Sequence, residues 1–338
     1  MRYLNSAYIR DHRARIGHRR GALVVSSPDG TQKIPLEAVE AVVLLGGGQM
    51  TSQALAACVR RGVRVTALNP GGSPRFVVGA ATSGNVHLRT AHYRAVVDDR
   101  HSLEISKSIV AAKLQNSRKV VARWARDSND APESDRLTER ARQLLDRVAR
   151  VPGAPNPDKL RGIEGDGARV YFRAVSLALS RAALRFSTRT RRPPRDPVNA
   201  LLGFLYGLLV SEFIGAVESV GLDYQMGFFH RARSGRPSLA LDLAEELRAL
   251  TDRFVVTLVR RQQMANDDFT RTPGRGVYLT DEARSRLIRL WEEHKEDEME
   301  HQVLGKKVGR WAIPGIQATL LARHLRGDLP SYPPFILS

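Results

Sequence analysis

The 338-residue chain is 42% hydrophobic and 26% charged, a balance that excludes intrinsic disorder and allows a substantial core. Lys and Arg number 53 against 35 Asp and Glu, giving a formal charge of +18, which points to a polyanion: nucleic acid or an anionic membrane surface. A single cysteine, Cys58, excludes an internal disulfide and fits a reducing cytoplasm, and MRYLNSAYIRDHR at the start lacks the apolar stretch of a signal peptide.

Residues 1–83 read as a small β-rich domain. Ala22–Ser26 and Lys33–Pro35 are short extended runs on either side of Ser27-Pro28-Asp29-Gly30, which predicts a hairpin. Val39–Leu45 and Val63–Leu68 are compact apolar strands, and Ser52–Arg60 between them is a short helix with Thr51 as its cap. Arg75–Val78 adds a strand after the turn Asn69-Pro70-Gly71-Gly72. The triplet Gly46–Gly48 lacks the Lys-Ser/Thr of a phosphate loop and the spacing of a dinucleotide fingerprint, so it reads as a turn.

Beyond a linker at 84–88 the pattern becomes helical, and 89–338 reads as a larger all-α domain. His87–Ala125 repeats apolar residues at helical intervals, Arg126–Ser134 is a polar loop, and Leu137–Val151 is an amphipathic helix. In LRGIEGDGARVYF, residues 160–172, Glu164 lies between glycines in front of an apolar, aromatic helix. Thr188–Pro197 gathers Arg189, Arg191, Arg192 and Arg195 around two prolines, either a solvated linker or an arm that contacts phosphates. Ala200–Val217 is apolar enough to suggest a membrane span, but Ser211 and Glu212 interrupt it, so a buried helix is expected and no membrane partner. Residues 269–279 suggest a hairpin-like loop, Glu282–His301 a charged helix, Pro314–Leu325 a last helix, and PSYPPFILS an extended tail that either folds back or docks on a partner.

The densest chemistry lies in Gly227–Arg248, GFFHRARSGRPSLALDLAEELR. Leu239, Leu243, Leu247 and Leu250 form a core stripe, while Asp242, Glu245 and Arg248 share another helical face that His230 can reach across the preceding loop. Imidazole plus carboxylates is a ligand set for a divalent cation, though an acidic helix face is ordinarily solvated and a lone histidine ordinarily structural. Arg231, Arg233, Arg236 and Arg248, with Arg191 and Arg192, are candidate phosphate contacts.

Three ordered motifs, LRGIEGDGARVYF, RRPPRDPVNALLGFLY and DYQMGFFHRARSGRPSLALDLAEELR, closely resemble those of the CRISPR-associated adaptation integrases, the family often called Cas-one. The closing LLARHLRGDLPSYPPF resembles subtype I-C members. The resemblance implies an α+β protein: a sandwich-like N-terminal domain that contributes to a homodimer, then an all-α catalytic domain. It implies a cytoplasmic, Mg2+- or Mn2+-dependent DNA endonuclease and integrase that inserts captured protospacer DNA into the CRISPR repeat array by 3′-hydroxyl attack on a phosphodiester, with two dimers flanking a Cas-two dimer. By the family pattern Glu164, His230 and Glu245 are the catalytic metal ligands and Asp242 the accompanying acid; the family's better-known members carry aspartate where this chain has Glu245, so Glu246 stays an alternative. The rival reading, from a different class, is a non-catalytic architectural DNA-binding protein.

Overall fold

The computed structural model describes residues 6–45, 47–69, 74–79, 85–272, 274 and 276–338. The chain divides into two compact units, Met1–Gly84 and Asn85–Ser338.

The first unit contains β1 (Ser6–Ile9), β2 (Arg15–Arg19), β3 (Ala22–Ser27), β4 (Gly30–Pro35), β5 (Ala41–Leu45), β6 (Gln49–Met50), α1 (Ser52–Arg60), β7 (Arg64–Leu68) and β8 (Pro74–Val78). One sheet runs β1-β5-β7-β8 and the other β4-β3-β2-β6. β5 is parallel to both its neighbours, and Val42, Val43, Leu44 and Leu45 are all buried, as a strand covered on both faces requires. β3 alternates instead, turning Leu23 and Val25 inward. Ile16, Leu23, Val42, Val65, Ala54 and Cys58 meet in one core, so both sheets and α1 share it in a sandwich-like arrangement. Burial pushes the Cys58 thiol up to about 11, consistent with packing rather than reactivity. The 22–35 hairpin and the Thr51 cap form as the sequence reading has them, with Thr51 accepting from the Ala54 amide at 3.2 Å. β1 and β2 carry no comparable apolar signal and were not foreseen. Gly46 and residues 70–72 of the expected turns lie outside the described residues.

The second unit contains α2 (Val86–Val97), α3 (Asp99–Arg126), α4 (Ala131–Arg150), α5 (Pro157–Ala178), α6 (Pro197–Ser219), α7 (Ser238–Arg260), α8 (Asp281–Glu296) and α9 (Ile313–Leu325). It is not wholly helical: β9 (Phe269–Arg271) pairs with β10 (Val277–Leu279), and β11 (Glu298–His301) with β12 (Lys306–Gly309). β11 takes the last residues of the expected 282–301 helix. Helix α2 begins at Val86, inside the stretch 84–88 read as a linker. The expected helix through 87–125 is broken at Asp98, whose carboxylate caps α3 by accepting from His101 N at 2.9 Å. Asp130 caps α4 similarly, which shortens the polar loop before it. Asn156 and Asp196 cap α5 and α6, each followed by a proline in the first turn.

Helix α6 is long and apolar enough to cross a membrane by composition alone. Its apolar residues pack inside the unit: Leu201, Leu205, Phe213 and Val217 are fully buried, each stabilising by about 1.5–3 kcal/mol. The interrupting Glu212 pairs with Lys295 of α8 at 2.9 Å, so the helix also carries a partly buried ion pair. Helix α7 packs against α3, α6 and α9. This explains why its residues are buried nearly all round.

Candidate active site

Four acids on α7, Asp242, Glu245, Glu246 and Asp252, are buried, which sets this helix apart from an ordinary solvated acidic face. Each is directed to a different set of partners.

Asp242 organises the loop before its own helix. Its Oδ2 accepts from the amides of Phe228 at 2.6 Å and Phe229 at 3.0 Å; its Oδ1 accepts from His230 N at 2.9 Å and contacts His230 Nδ1 at 2.6 Å. One carboxylate therefore folds the loop and fixes the imidazole. Gly227 makes the closure possible, because a Cβ there would lie 2.7 Å from the Ser238 carbonyl carbon and 2.8 Å from Asp242 Oδ2. With Nδ1 engaged, Nε2 is the ring nitrogen left to act as a ligand.

Glu245 faces a different cluster. Its Oε2 lies 2.7 Å from Lys113 Nζ on α3, and its Oε1 lies 3.2 Å from Arg248 Nη2 one turn along α7. The short Lys113 contact therefore satisfies Oε2 as an ion-pair partner inside the protein. Burial by itself raises the Glu245 carboxyl, but the charges of Arg248, Lys113 and His230 outweigh it and hold the group down at about 2. Lys113 Nζ also hydrogen-bonds Glu164 Oε1 on α5, so one ammonium joins the two acids. Glu164 sits within α5 rather than in front of a helix, because α5 already starts at Pro157. Gly167, one turn further along, sets how closely the helices approach: a Cβ there would collide with Leu114 of α3.

Glu246 points away from this group. Tyr332 Oη donates to its Oε1 at 2.6 Å, while Phe335 N and Gln317 Nε2 donate to its Oε2 at 2.7 and 2.9 Å. Burial raises its carboxyl to about 8, against the opposing pull of those hydrogen bonds. Asp252 accepts from Tyr206 Oη at 2.5 Å, and burial pushes it up to about 6.

The arginines separate. Arg248 is mostly buried, pairs with Glu245 and stacks 4.6 Å from the centroid of Tyr206, whose ring Arg189 also approaches at 5.3 Å. It therefore acts on the carboxylate and the ring instead of standing free for phosphate. Arg231, Arg233, Arg191 and Arg192 are exposed, and Arg236 is half-buried. The 188–197 segment is tied back: the buried Asn199 amide donates to Thr188 O and its oxygen accepts from Thr190 N, while Val277 N donates to Pro194 O. Arg191 lines a narrow cavity of about 40 Å3 with Lys113, Glu164, Tyr206, Arg248 and Asp252.

Among the described residues no three His, Cys, Asp or Glu side chains converge closely enough to hold one ion. Lys113 stands between the two acids as a cation of the protein's own. Sequence reasoning missed Lys113, since a single lysine in a long amphipathic helix has no local signature. It also missed Tyr206 and Asp252; the only signal for the latter was an acid at an inward position of an apolar helix.

The same fold recurs in solved structures of other proteins. A casposase bound to integration product superposes with a TM-score of 0.84 at 24% identity, over 97% of this chain and 93% of that one. A CAS1 protein from Thermotoga maritima superposes with a TM-score of 0.81 at 21% identity, covering 99% of both chains. The sequence profile of CRISPR associated protein Cas1 matches residues 7–293. A CRISPR-associated endonuclease Cas1 of Moorella thermoacetica is 38% identical over 338 residues, and one of Rhodospirillum rubrum is 40% identical over 344, each match covering 98% of both proteins. The chain belongs to the Cas1 family of CRISPR-associated endonucleases.

Proposed function

We propose that Glu164, Glu245 and His230 form the metal-dependent centre through which this Cas1-family endonuclease and integrase cuts DNA and inserts captured fragments as spacers. The observation that carries the reading is the convergence of Glu164 and Glu245 on the ammonium of Lys113: two carboxylates from separate helices share one cation. Oxygen donors with one imidazole suit Mg2+ or Mn2+. Such an ion, when bound, would polarise a phosphate oxygen and stabilise the charge of an in-line displacement.

The chain's own residues do the rest. Asp242 holds His230 by its Nδ1 side and commits the ring's other nitrogen to the site. Arg248 and Lys113 keep Glu245 ionised despite its burial, so it is ready as a ligand at any physiological pH. Exposed Arg231, Arg233, Arg191 and Arg192 supply positive charge for the DNA backbone of protospacer and repeat. The attacking 3′-hydroxyl, or water in hydrolysis, needs no protein nucleophile. Glu246 is fully engaged by Tyr332, Phe335 and Gln317, which favours Glu245 as the third ligand.

The division proposed is 1–83 as the dimerisation domain, 84–88 as the join and 89–338 as the catalytic domain. The assembly proposed is a homodimer, two of which flank a Cas2 dimer; a solved Cas6-RT-Cas1–Cas2 complex contains a segment with this fold, with a TM-score of 0.82. The closing LLARHLRGDLPSYPPF supports subtype I-C, and a cytoplasmic location follows from the substrate. Glu164→Ala and His230→Ala should each abolish Mn2+-dependent strand cleavage and integration while double-stranded DNA binding persists. Full cleavage by either variant overturns the assignment and leaves the architectural DNA-binding role.

A further inference from the structure

The last eight residues do not hang free. Tyr332, Phe335 and Leu337 are buried, and the segment lies between α3 and α7 as a polar and apolar wedge. Two side chains receive it. On α7, Glu246 accepts from Tyr332 Oη at 2.6 Å and from the Phe335 amide at 2.7 Å. On α3, Asn116 accepts from the Leu337 amide at 2.8 Å and donates to Phe335 O at 2.9 Å. Asn116 also donates to the Glu246 backbone carbonyl at 2.8 Å, so it joins the two helices directly as well as through the tail. Lys119 Nζ meets Leu337 O from the same helix. Behind the tail, Gln317 of α9 donates to Glu246 Oε2 and Tyr332 Oη, each at 2.9 Å, and its Oε1 contacts His301 Nε2 at 3.0 Å.

These anchors have a definite register. Glu246 is the residue after Glu245, and Asn116 lies one helical turn from Lys113, its i+3 neighbour. The tail therefore ties together the turn of α7 that presents Glu245 and the turn of α3 that presents Lys113. Asn116 and Glu246 are both fully buried, so a released tail would leave their polar atoms without these partners, and the anchored arrangement is preferred.

We propose that residues 331–338 are a built-in strap that positions the Glu245 carboxylate by clamping α7 to α3 through Glu246 and Asn116. Glu246 and Asn116 are thus positioning residues: their side chains bond the tail and its neighbours, and each acts through the helix turn next to it. This rests on the reading of Glu245 as a metal ligand.

The test compares full-length Asn116→Ala, Tyr332→Phe and Glu245→Gln with a control, Leu144→Ala, whose buried side chain on α4 is distant in sequence from both anchored turns. Four quantities are measured: Mn2+ affinity by calorimetry, the Mn2+ concentration for half-maximal cleavage, DNA affinity and Tm. Asn116→Ala should weaken Mn2+ binding about 10–100-fold, the range for groups that orient a ligand, with DNA affinity unchanged. Tyr332→Phe, which keeps the ring and folds even if Asn116→Ala does not, should show a smaller loss in the same direction. Leu144→Ala should lower Tm without moving Mn2+ affinity. If Asn116→Ala and Tyr332→Phe bind Mn2+ like the wild type while Glu245→Gln does not, the strap is wrong and the site stands. A Mn2+ loss that merely follows Tm, and is matched by Leu144→Ala, also overturns the strap. Should Glu245→Gln itself leave Mn2+ binding intact, the ligand assignment fails, and the strap with it.

Discussion

Glu245 and Glu246 are neighbours on one helix, both removed from water, yet their carboxyls are displaced in opposite directions, to about 2 and about 8. Burial acts on both and in both cases favours the neutral form. On the Glu245 side it is overcome by full charges, chiefly those of Arg248 and Lys113. On the Glu246 side only neutral donors are present, a phenol, an amide side chain and a backbone N–H, and hydrogen bonds alone do not offset the desolvation. The two sides of α7 thus do different work: one keeps an anion available at the site, the other uses a carboxyl as a fixing point for the chain's end.

The sharpest way to break this contrast is to remove the cation that defines the first side. Lys113→Met should leave Glu164 and Glu245 facing one another without a shared counter-charge and destabilise the metal-free protein by about 3 kcal/mol, the low end for a buried pair because Glu164 is partly exposed. Mn2+ should then raise Tm more in this variant than in the wild type; an equal shift would mean that Lys113 does not share the acids with the metal. Next in size, Glu245→Gln should reduce Mn2+-dependent cleavage by more than about 100-fold, beyond what loss of an orienting group causes, whereas Glu246→Gln, which loosens only the anchor of the strap, should cost less than that. The reverse order would move the third ligand by one residue. Asp242→Asn should cost about 10–100-fold in cleavage by freeing the His230 ring, and comparable losses in Mn2+ binding and cleavage would locate the defect at the metal.

The smallest effect concerns pH. The unperturbed Glu246 carboxyl titrates near 4.5 and the folded one near 8, so between these values the folded chain keeps a proton that the unfolded chain has released. The stability this group contributes is complete below pH 4.5 and is lost as pH rises through 8. Glu246→Gln cannot titrate, so its Tm should fall less than that of the wild type over that range. Parallel Tm curves would show that Glu246 is ionised in the folded protein and that the two sides of α7 are alike.

Residue chemistry and spacing determined a good deal on their own. The Thr51 cap and apolar periodicity announced α1, α6 and α9, and the 227–248 stretch could be singled out because a histidine, a basic glycine loop and three acids fall within a few turns. Family motifs then added Glu164, which lies on another helix and has no periodic relation to the stretch. What the sequence could not decide was the direction in which each acid points. A glutamate next to a glutamate is the same residue in the same helix, and only the packing of α3 on one side and the chain's end on the other makes one a charged partner of Lys113 and its neighbour a neutral anchor. Lys113, Asn116 and Tyr332 stayed invisible for the same reason. Their roles depend on contacts across 51 to 219 positions of chain, set by how closely Gly167 lets α5 approach α3 and by where the tail returns.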